Sequence, residues 1–200
     1  MHSKTTKTNI IPAELLLTAY SASYFPMANS RKGEIHWYSP DPRAIIPLGS
    51  FKISRSLKQT IKKKIFEIRI DTTFEKVMRY CADRDDTWLS EEIIQSYLQL
   101  HQLGYAHSIE TWYEDKLVGG LYGVALGTAF FGESMFSLMK DASKVALVAL
   151  VERLKQKGFT LLDTQFITPH LKRLGAVAIS REEYLHKYLK TALLKNCHFI

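Results

Sequence analysis

Apolar residues recur along this chain with two different periods, and the change of period marks out the elements. Pro12 to Tyr20 has helical spacing, with Leu15, Leu16 and Ala19 on one face. A second helix is expected from Thr72, where Thr72-x-x-Glu75 can form a capping box. A third follows Ser90, carries Ile93, Ile94, Tyr97 and Leu98 on one face, and stops at Gly104. There the period shortens. Ala106–Tyr113 and Leu117–Val124 flank Glu114-Asp115-Lys116, which predicts a hairpin, and Thr128–Met135 predicts a third strand. Ala142–Lys157 is again helical and ends at Gly158. A strand over Phe159–Gln165, a short helix from Pro169 and a last helix from a second capping box, Ser180-x-x-Glu183, complete the pattern. Strands and helices in this order predict an α+β fold, a mixed sheet with flanking helices rather than a doubly wound one. Residues 23–48 are rich in proline and aromatics, and residues 1–66 are expected to form a small N-terminal subdomain ahead of a larger domain over 67–200.

Two of these strands end on polar residues. Gly132-Glu133-Ser134-Met135-Phe136-Ser137 reads as the end of one, and Asp163-Thr164-Gln165 closes the other. Asp163 and Gln165 are two apart and so share a face. With one helix between the two strands, they can be sheet neighbours that bring Glu133 and Asp163 to one edge of a cleft. A carboxylate where an apolar strand runs out suits a reaction centre. The plain alternative is a buried carboxylate satisfied by a neighbour, such as a helix cap.

Charge adds a second theme. The net charge is +7. Lys52, Arg55, Lys58, Lys62, Lys63 and Lys64 follow one another with no acid between Asp41 and Glu67. If helical, Arg55, Lys58 and Lys62 share a face suited to phosphates, with binding that weakens as salt rises. A solvated surface face is the alternative. Trp37, Trp88 and Trp112 are candidates for stacking on a base, although core packing is the commoner use of tryptophan; Trp88 stands out because it follows the polar loop Asp83–Thr87.

Other chemistries are poorly supported. His107 and Glu110 have odd spacing on a strand and face opposite sides, so no metal site is expected. No G-x-S-x-G elbow and no nucleotide-phosphate loop occurs. Cys81 and Cys197 form no C-x-x-C and fit a reducing compartment. Met1–Lys7 is polar with no apolar run behind it, so no signal peptide is expected, and the longest apolar stretch, Val145–Val151, is too short to span a bilayer. The expectation is a cytoplasmic protein.

A series of segments resembles the bacterial leucyl/phenylalanyl-tRNA–protein transferases. These are Tyr24-Phe25-Pro26-Met27, Trp37-Tyr38-Ser39-Pro40-Asp41-Pro42-Arg43, Ile53-Ser54-Arg55-Ser56-Leu57, Asp86-Thr87-Trp88-Leu89 and Leu103-Gly104-Tyr105-Ala106-His107-Ser108-Ile109-Glu110. They continue through Leu117–Val124, Gly132–Ser137, Ala142-Ser143-Lys144, Asp163-Thr164-Gln165 and Leu174-Gly175-Ala176, in family order.

The resemblance implies a GNAT-like catalytic domain and a transfer reaction. An aminoacyl-tRNA carrying Leu or Phe, with Met as a third candidate, donates its amino acid to the α-amino group of a protein beginning with Arg or Lys. The product enters the N-degron degradation pathway. No cofactor is needed, and no coenzyme A loop of the R/Q-x-x-G-x-G/A type is present, which separates this reading from an acyl-CoA acetyltransferase. An RNA-binding protein that keeps the fold without catalysis would need a damaged centre, whereas Asp163, Gln165 and Glu133 are all in place. By family position, Asp163 orients Gln165, which assists the attacking amine; positioning, with the tRNA ribose relaying the proton, is an equal alternative. Glu133 would hold polar groups of the substrates. The donor side chain would lie among Leu121, Phe130, Met135, Ser137, Leu150 and Leu162, with Leu121 and Leu150 standing where better-studied members have Met and Phe. Trp88 matches a residue near the terminal adenosine, and Met27 stands where some members have Trp. Arg55, Lys58 and Lys62 match the tRNA-facing cluster. The chain is expected to act as a monomer.

Overall fold

The computed structural model describes residues 10–200. Residues 1–9, which include the Met1–Lys7 start expected above to carry no signal peptide, lie outside the described residues.

The chain opens with α1 (Ala13–Ser21), a hairpin of β1 (Phe25–Ala28) and β2 (Ile35–Tyr38), then β3 (Arg43–Ile45) and α2 (Arg55–Lys62). After β4 (Glu67–Ile70) come α3 (Phe74–Ala82) and α4 (Glu91–Gln102), followed by β5 (Ala106–Tyr113), β6 (Lys116–Leu126) and β7 (Ala129–Ser137). The remainder is α5 (Ala142–Gln156), β8 (Leu161–Gln165), α6 (Pro169–Arg173), β9 (Val177–Ile179) and α7 (Arg181–Glu183), which runs on as a wider π-helical turn over Tyr184–Leu189 and then as α8 (Lys190–Leu193).

Seven strands form one sheet in the order β4-β5-β6-β7-β8-β3-β9. Its pairs are antiparallel except β7 and β8, which are parallel and joined by α5. A parallel pair needs such a crossover. This is the mixed α+β arrangement expected from the pattern. Residues 43–45, read as part of the N-terminal stretch, supply a strand inside the large sheet, between β8 and β9.

Alternation along the strands divides the apolar residues into two cores. Phe131, Tyr122 and Ala106 face α1, α3 and α4, against Leu16, Tyr20, Val77, Ile93 and Tyr97. Phe130, Leu121 and Ile109 face α5, against Leu147, Leu150 and Leu154. The buried stripe of α1 is Ala13, Leu16 and Tyr20; Leu15, expected there, is 50% exposed.

Ser90 caps α4 as expected, accepting from the Ile93 N–H, and Ser180 caps α7 through the Glu183 N–H. The capping box at Thr72 does not form. α3 starts at Phe74, and the buried Glu110 carboxylate takes over, accepting from the Thr73 N–H at 2.8 Å, the Thr72 hydroxyl and the Trp112 ring N–H at 3.1 Å. A long-range carboxylate at the helix N-terminus supplies both an acceptor and a favourable charge. Among the described residues no helix is long and apolar enough to cross a membrane.

Candidate active site

β7 and β8 are paired only over Ala129–Phe131 and Leu161–Asp163, and beyond that point they part. Two irregularities open the fork. In β7, Gly132 pairs with Gly123 and Ser134 with Tyr122, so Glu133 is the extra residue of a bulge. β8 turns to β3 instead, pairing Asp163 with Ile45 and Gln165 with Ala44, and Gln165 adopts a left-handed φ of 63°. The bulge and the left-handed residue thus aim two polar side chains into the gap.

Those side chains meet. Glu133 Oε1 accepts from the Gln165 amide nitrogen at 2.9 Å and from the Tyr20 hydroxyl at 2.6 Å. Tyr20 in turn shares a short hydrogen bond with Tyr97. Glu133 Oε2 and the Thr164 hydroxyl are buried without a hydrogen-bond partner among the described residues. Burial pushes the Glu133 carboxyl up to about 7, with the hydrogen bonds from Tyr20 and Gln165 opposing it. With its amide nitrogen donating to Glu133, Gln165 keeps its amide oxygen as an acceptor.

Asp163 sits behind this pair and is fully buried. It accepts from Arg43 Nη2 at 2.6 Å and Arg43 Nε at 3.0 Å, from the Tyr184 hydroxyl at 2.6 Å and from the Gln165 backbone N–H at 2.8 Å. Arg43 is also buried. Burial works against its charge, and the Asp163 carboxylate outweighs that and raises its pKa. The guanidinium lies 4.9 Å from the Phe25 ring centroid and 5.0 Å from that of Tyr184. Asp163 therefore fixes the backbone of Gln165 and does not itself face the fork.

The fork opens into a cavity of about 330 Å³. Leu121, Met135, Leu150 and Leu162 line it with Met27 and Trp88, as do Glu133, Thr164 and Gln165. Phe130 and Ser137 lie outside that lining. Phe130 points to the α5 side against Phe199, ring centroids 5.2 Å apart, and Ser137 is exposed at the end of β7, donating to the Met139 carbonyl. Arg84 crosses the mouth, donating to the Ser134 hydroxyl and the Met135 carbonyl, each at 2.8 Å. The half-buried Trp88 is tied to the β1–β2 hairpin through its carbonyl and the Ala28 N–H.

Arg55, Lys58 and Lys62 are exposed on α2, which is capped by Ser54 and anchored by the buried Leu57. The helix holds to α5 through the Thr60 hydroxyl and Asp141 at 3.2 Å.

Sequence reasoning missed Arg43, Tyr20, Tyr97, Tyr184 and Arg84. For the tyrosines a signal was available. Tyr20 and Tyr97 occupy the buried stripes of two helices, and a buried phenol requires a hydrogen-bond partner that phenylalanine would not. Nothing in the local sequence distinguishes Arg43 or Arg84 from surface arginines.

Comparison with known proteins shows the family of the chain. Residues 45–189 match the family model for leucyl/phenylalanyl-tRNA protein transferase, and residues 10–41 match its N-terminal domain. The leucyl/phenylalanyl-tRNA–protein transferase of Gloeobacter violaceus is 53% identical over 93% of this chain and 96% of its own length. That of Herpetosiphon aurantiacus is 54% identical over 92% and 95%. Among solved structures, L-PGS from Bacillus licheniformis is similar at 13% identity and a TM-score of 0.46, over 76% of this chain and 51% of that one. On the sequence matches, the chain belongs to the leucyl/phenylalanyl-tRNA protein transferase family, whose members are aminoacyltransferases.

Proposed function

We propose that this enzyme transfers Leu or Phe, with Met as a third donor, from aminoacyl-tRNA to the α-amino group of proteins beginning with Arg or Lys, and so feeds the N-degron pathway in the cytoplasm, acting as a monomer. The observation that carries this reading is the pair Glu133 and Gln165, joined at 2.9 Å on the wall of an apolar cavity. Leu121, Met135, Leu150 and Leu162 suit an unbranched-at-Cβ apolar side chain, and Met27 and Trp88 suit the terminal adenosine. Arg55, Lys58 and Lys62 suit the RNA backbone. In this reading residues 1–66 form the small subdomain that supplies Met27, Arg43 and α2, and residues 67–200 carry the reacting groups.

The reaction is aminolysis of an ester. The acceptor nitrogen attacks the carbonyl carbon, the new C–N bond forms, the C–O bond to the ribose breaks, and the amine's proton leaves with the ribose oxygen. The donor arrives activated, so alignment supplies most of the acceleration. The Gln165 amide oxygen accepts an N–H of the incoming amine. Asp163 and Arg43 are positioning residues that hold Gln165 in its left-handed conformation. Glu133 Oε2 receives an ammonium or hydroxyl group of a substrate, which satisfies an otherwise costly buried oxygen.

Labelled Leu and Phe on charged tRNA, offered to a peptide beginning with Arg and to one beginning with Ala, test the proposal. Transfer confined to the Arg peptide is expected. No transfer to either, with salt-dependent tRNA binding retained, would replace it with the binding-only reading.

A further inference from the structure

Three elements meet beside the mouth of the cavity, and only one of them was marked by the basic run. α6 follows Gln165 closely and is capped by Thr168, whose hydroxyl accepts from the Leu171 N–H. Thr168, His170 and Leu171 line the cavity. Its far end is fastened to the chain leading into α2, where the Leu174 carbonyl accepts from the Lys52 N–H at 2.9 Å. Leu171, Leu174, Phe51, Ile53 and Leu57 share one apolar cluster beneath. The start of α5 closes the triangle, with Lys144 held at 2.7 Å by Asp141, the carboxylate that also takes the Thr60 hydroxyl.

The charges on this triangle are almost all of one sign. α6 carries His170, Lys172 and Arg173 and no acid in its first turn. Lys172 and Arg173 are exposed, and among the described residues neither they nor Arg55, Lys58 and Lys62 take part in an ion pair. Asp141 is occupied by Lys144. Burial, followed by the nearby charges of Lys144 and Arg173, lowers the His170 pKa, so these groups crowd one another. A folded protein gathers unpaired cations on a rigid scaffold at a cost in self-repulsion, which an anionic partner relieves.

We infer that α6, through Lys172 and Arg173, is a second RNA-contacting element that grips the backbone phosphates of the donor's 3′ single strand between α2 and the cavity mouth. The inference rests on the proposed function. It differs from that reading in dividing the labour: α2 meets the body of the RNA, and α6 meets only the strand that enters the cavity. The partner's chemistry follows from the page. The groups are point charges and a planar fork on an exposed helix, suited to spaced phosphates and to no particular base.

The test is the double variant Lys172→Gln/Arg173→Gln in the full chain. Binding is measured over a range of salt to charged tRNA and to the same tRNA stripped of its 3′ single strand, and transfer is measured from a minimal donor, phenylalanyl-adenosine. The variant is expected to bind intact tRNA several-fold more weakly. Its slope of log K against log salt should be shallower by about 1.4, from two single-strand contacts at about 0.7 each. Binding of the stripped RNA and transfer from the minimal donor should match the parent. Unchanged binding of intact tRNA, an equal loss for both RNAs, or a fall in minimal-donor transfer would each overturn the inference. A parent that neither binds tRNA nor transfers from either donor would overturn the proposed function, and this inference with it.

Discussion

Asp163 and Arg43 show how much one buried pair determines. Their side chains are at most 1% exposed, so each charge depends on the other. Removing one partner of such a pair costs about 3–5 kcal/mol, because the survivor is left charged in an apolar setting. Asp163→Asn is therefore expected to lower the unfolding free energy by about that amount in urea titrations, and to cut transfer sharply because the backbone of Gln165 loses its charged acceptor. Arg43→Met/Asp163→Leu should unfold at a higher urea concentration than either Arg43→Met or Asp163→Asn, with transfer still sharply reduced. A double variant no more stable than the singles would mean that the two charges are not mutually dependent. Glu133 makes the opposite case, a carboxyl held near about 7 against an ordinary 4.5. Between those values the folded chain keeps a proton that the unfolded chain has released, so stability falls as pH rises through that window and levels off above it. The total fall is about 3 kcal/mol. Urea midpoints from pH 4 to 8 should show this decline in the parent, and Glu133→Gln should remove it; a decline of the same size in the variant would assign it to another group. Sequence made Glu133, Asp163 and Gln165 legible, since each is a polar residue within or at the end of an apolar strand. Arg43 was not legible, because its meaning lies in a partner 120 positions away.

Elements set the geometry within which those residues act, and the bulge in β7 is the decisive one. Gly123 stands opposite Gly132, next to the extra residue Glu133. A Cβ on Gly123 would lie 2.5 Å from Phe130 Cε1 and would collide with the Phe131 carbonyl, a backbone atom that cannot step aside. Gly123→Ala is thus expected to cost about 1–3 kcal/mol by overpacking and to lower transfer by displacing Glu133. Gly49 has nothing within 4 Å of an added Cβ. Gly49→Ala serves as the comparison, expected to stay within about 0.5 kcal/mol of the parent with full transfer. If the two variants behaved alike in calorimetry and in transfer, the bulge would not be what aims Glu133. The same scale explains what the hydrophobic pattern could and could not reveal. α4, α5 and the β5–β6 hairpin each carry enough periodic residues, with caps or turns at their ends, to be read locally. β3, β4 and β9 are three or four residues long. β3 exists as a strand because β8 and β9 lie on either side of it, and that information is spread across the chain.

At the scale of the whole molecule, the end of the chain closes the core on which the cavity rests. Phe199 is 3% exposed. Its ring lies 4.4 Å from that of His107, 5.2 Å from Phe130 and 6.0 Å from Phe159, and its carbonyl accepts from Arg153 Nε at 2.8 Å. It thus joins β5, β7, α5 and the approach to β8. Truncating a buried phenylalanine to alanine costs about 3–5 kcal/mol, so Phe199→Ala should unfold at a markedly lower urea concentration. Its effect on catalysis separates two roles for the same contact. Phe130 belongs to the same apolar cluster as Leu121, Leu150 and Leu162 but stays outside the cavity lining. If Phe130 only fills the core, the folded fraction of Phe199→Ala should keep the parent's ratio of Leu to Phe transfer. If Phe130 sets the depth of the cavity, relaxing its support would let the cavity deepen and tilt that ratio toward Phe. The first outcome is expected, because Leu121, Leu150 and Leu162 line the cavity and Phe130 does not, and the structure around a truncated core residue relaxes only partially. The ratio in Phe199→Ala, measured where the variant is fully folded, therefore reports whether donor choice is set by the cavity wall alone or by the core behind it.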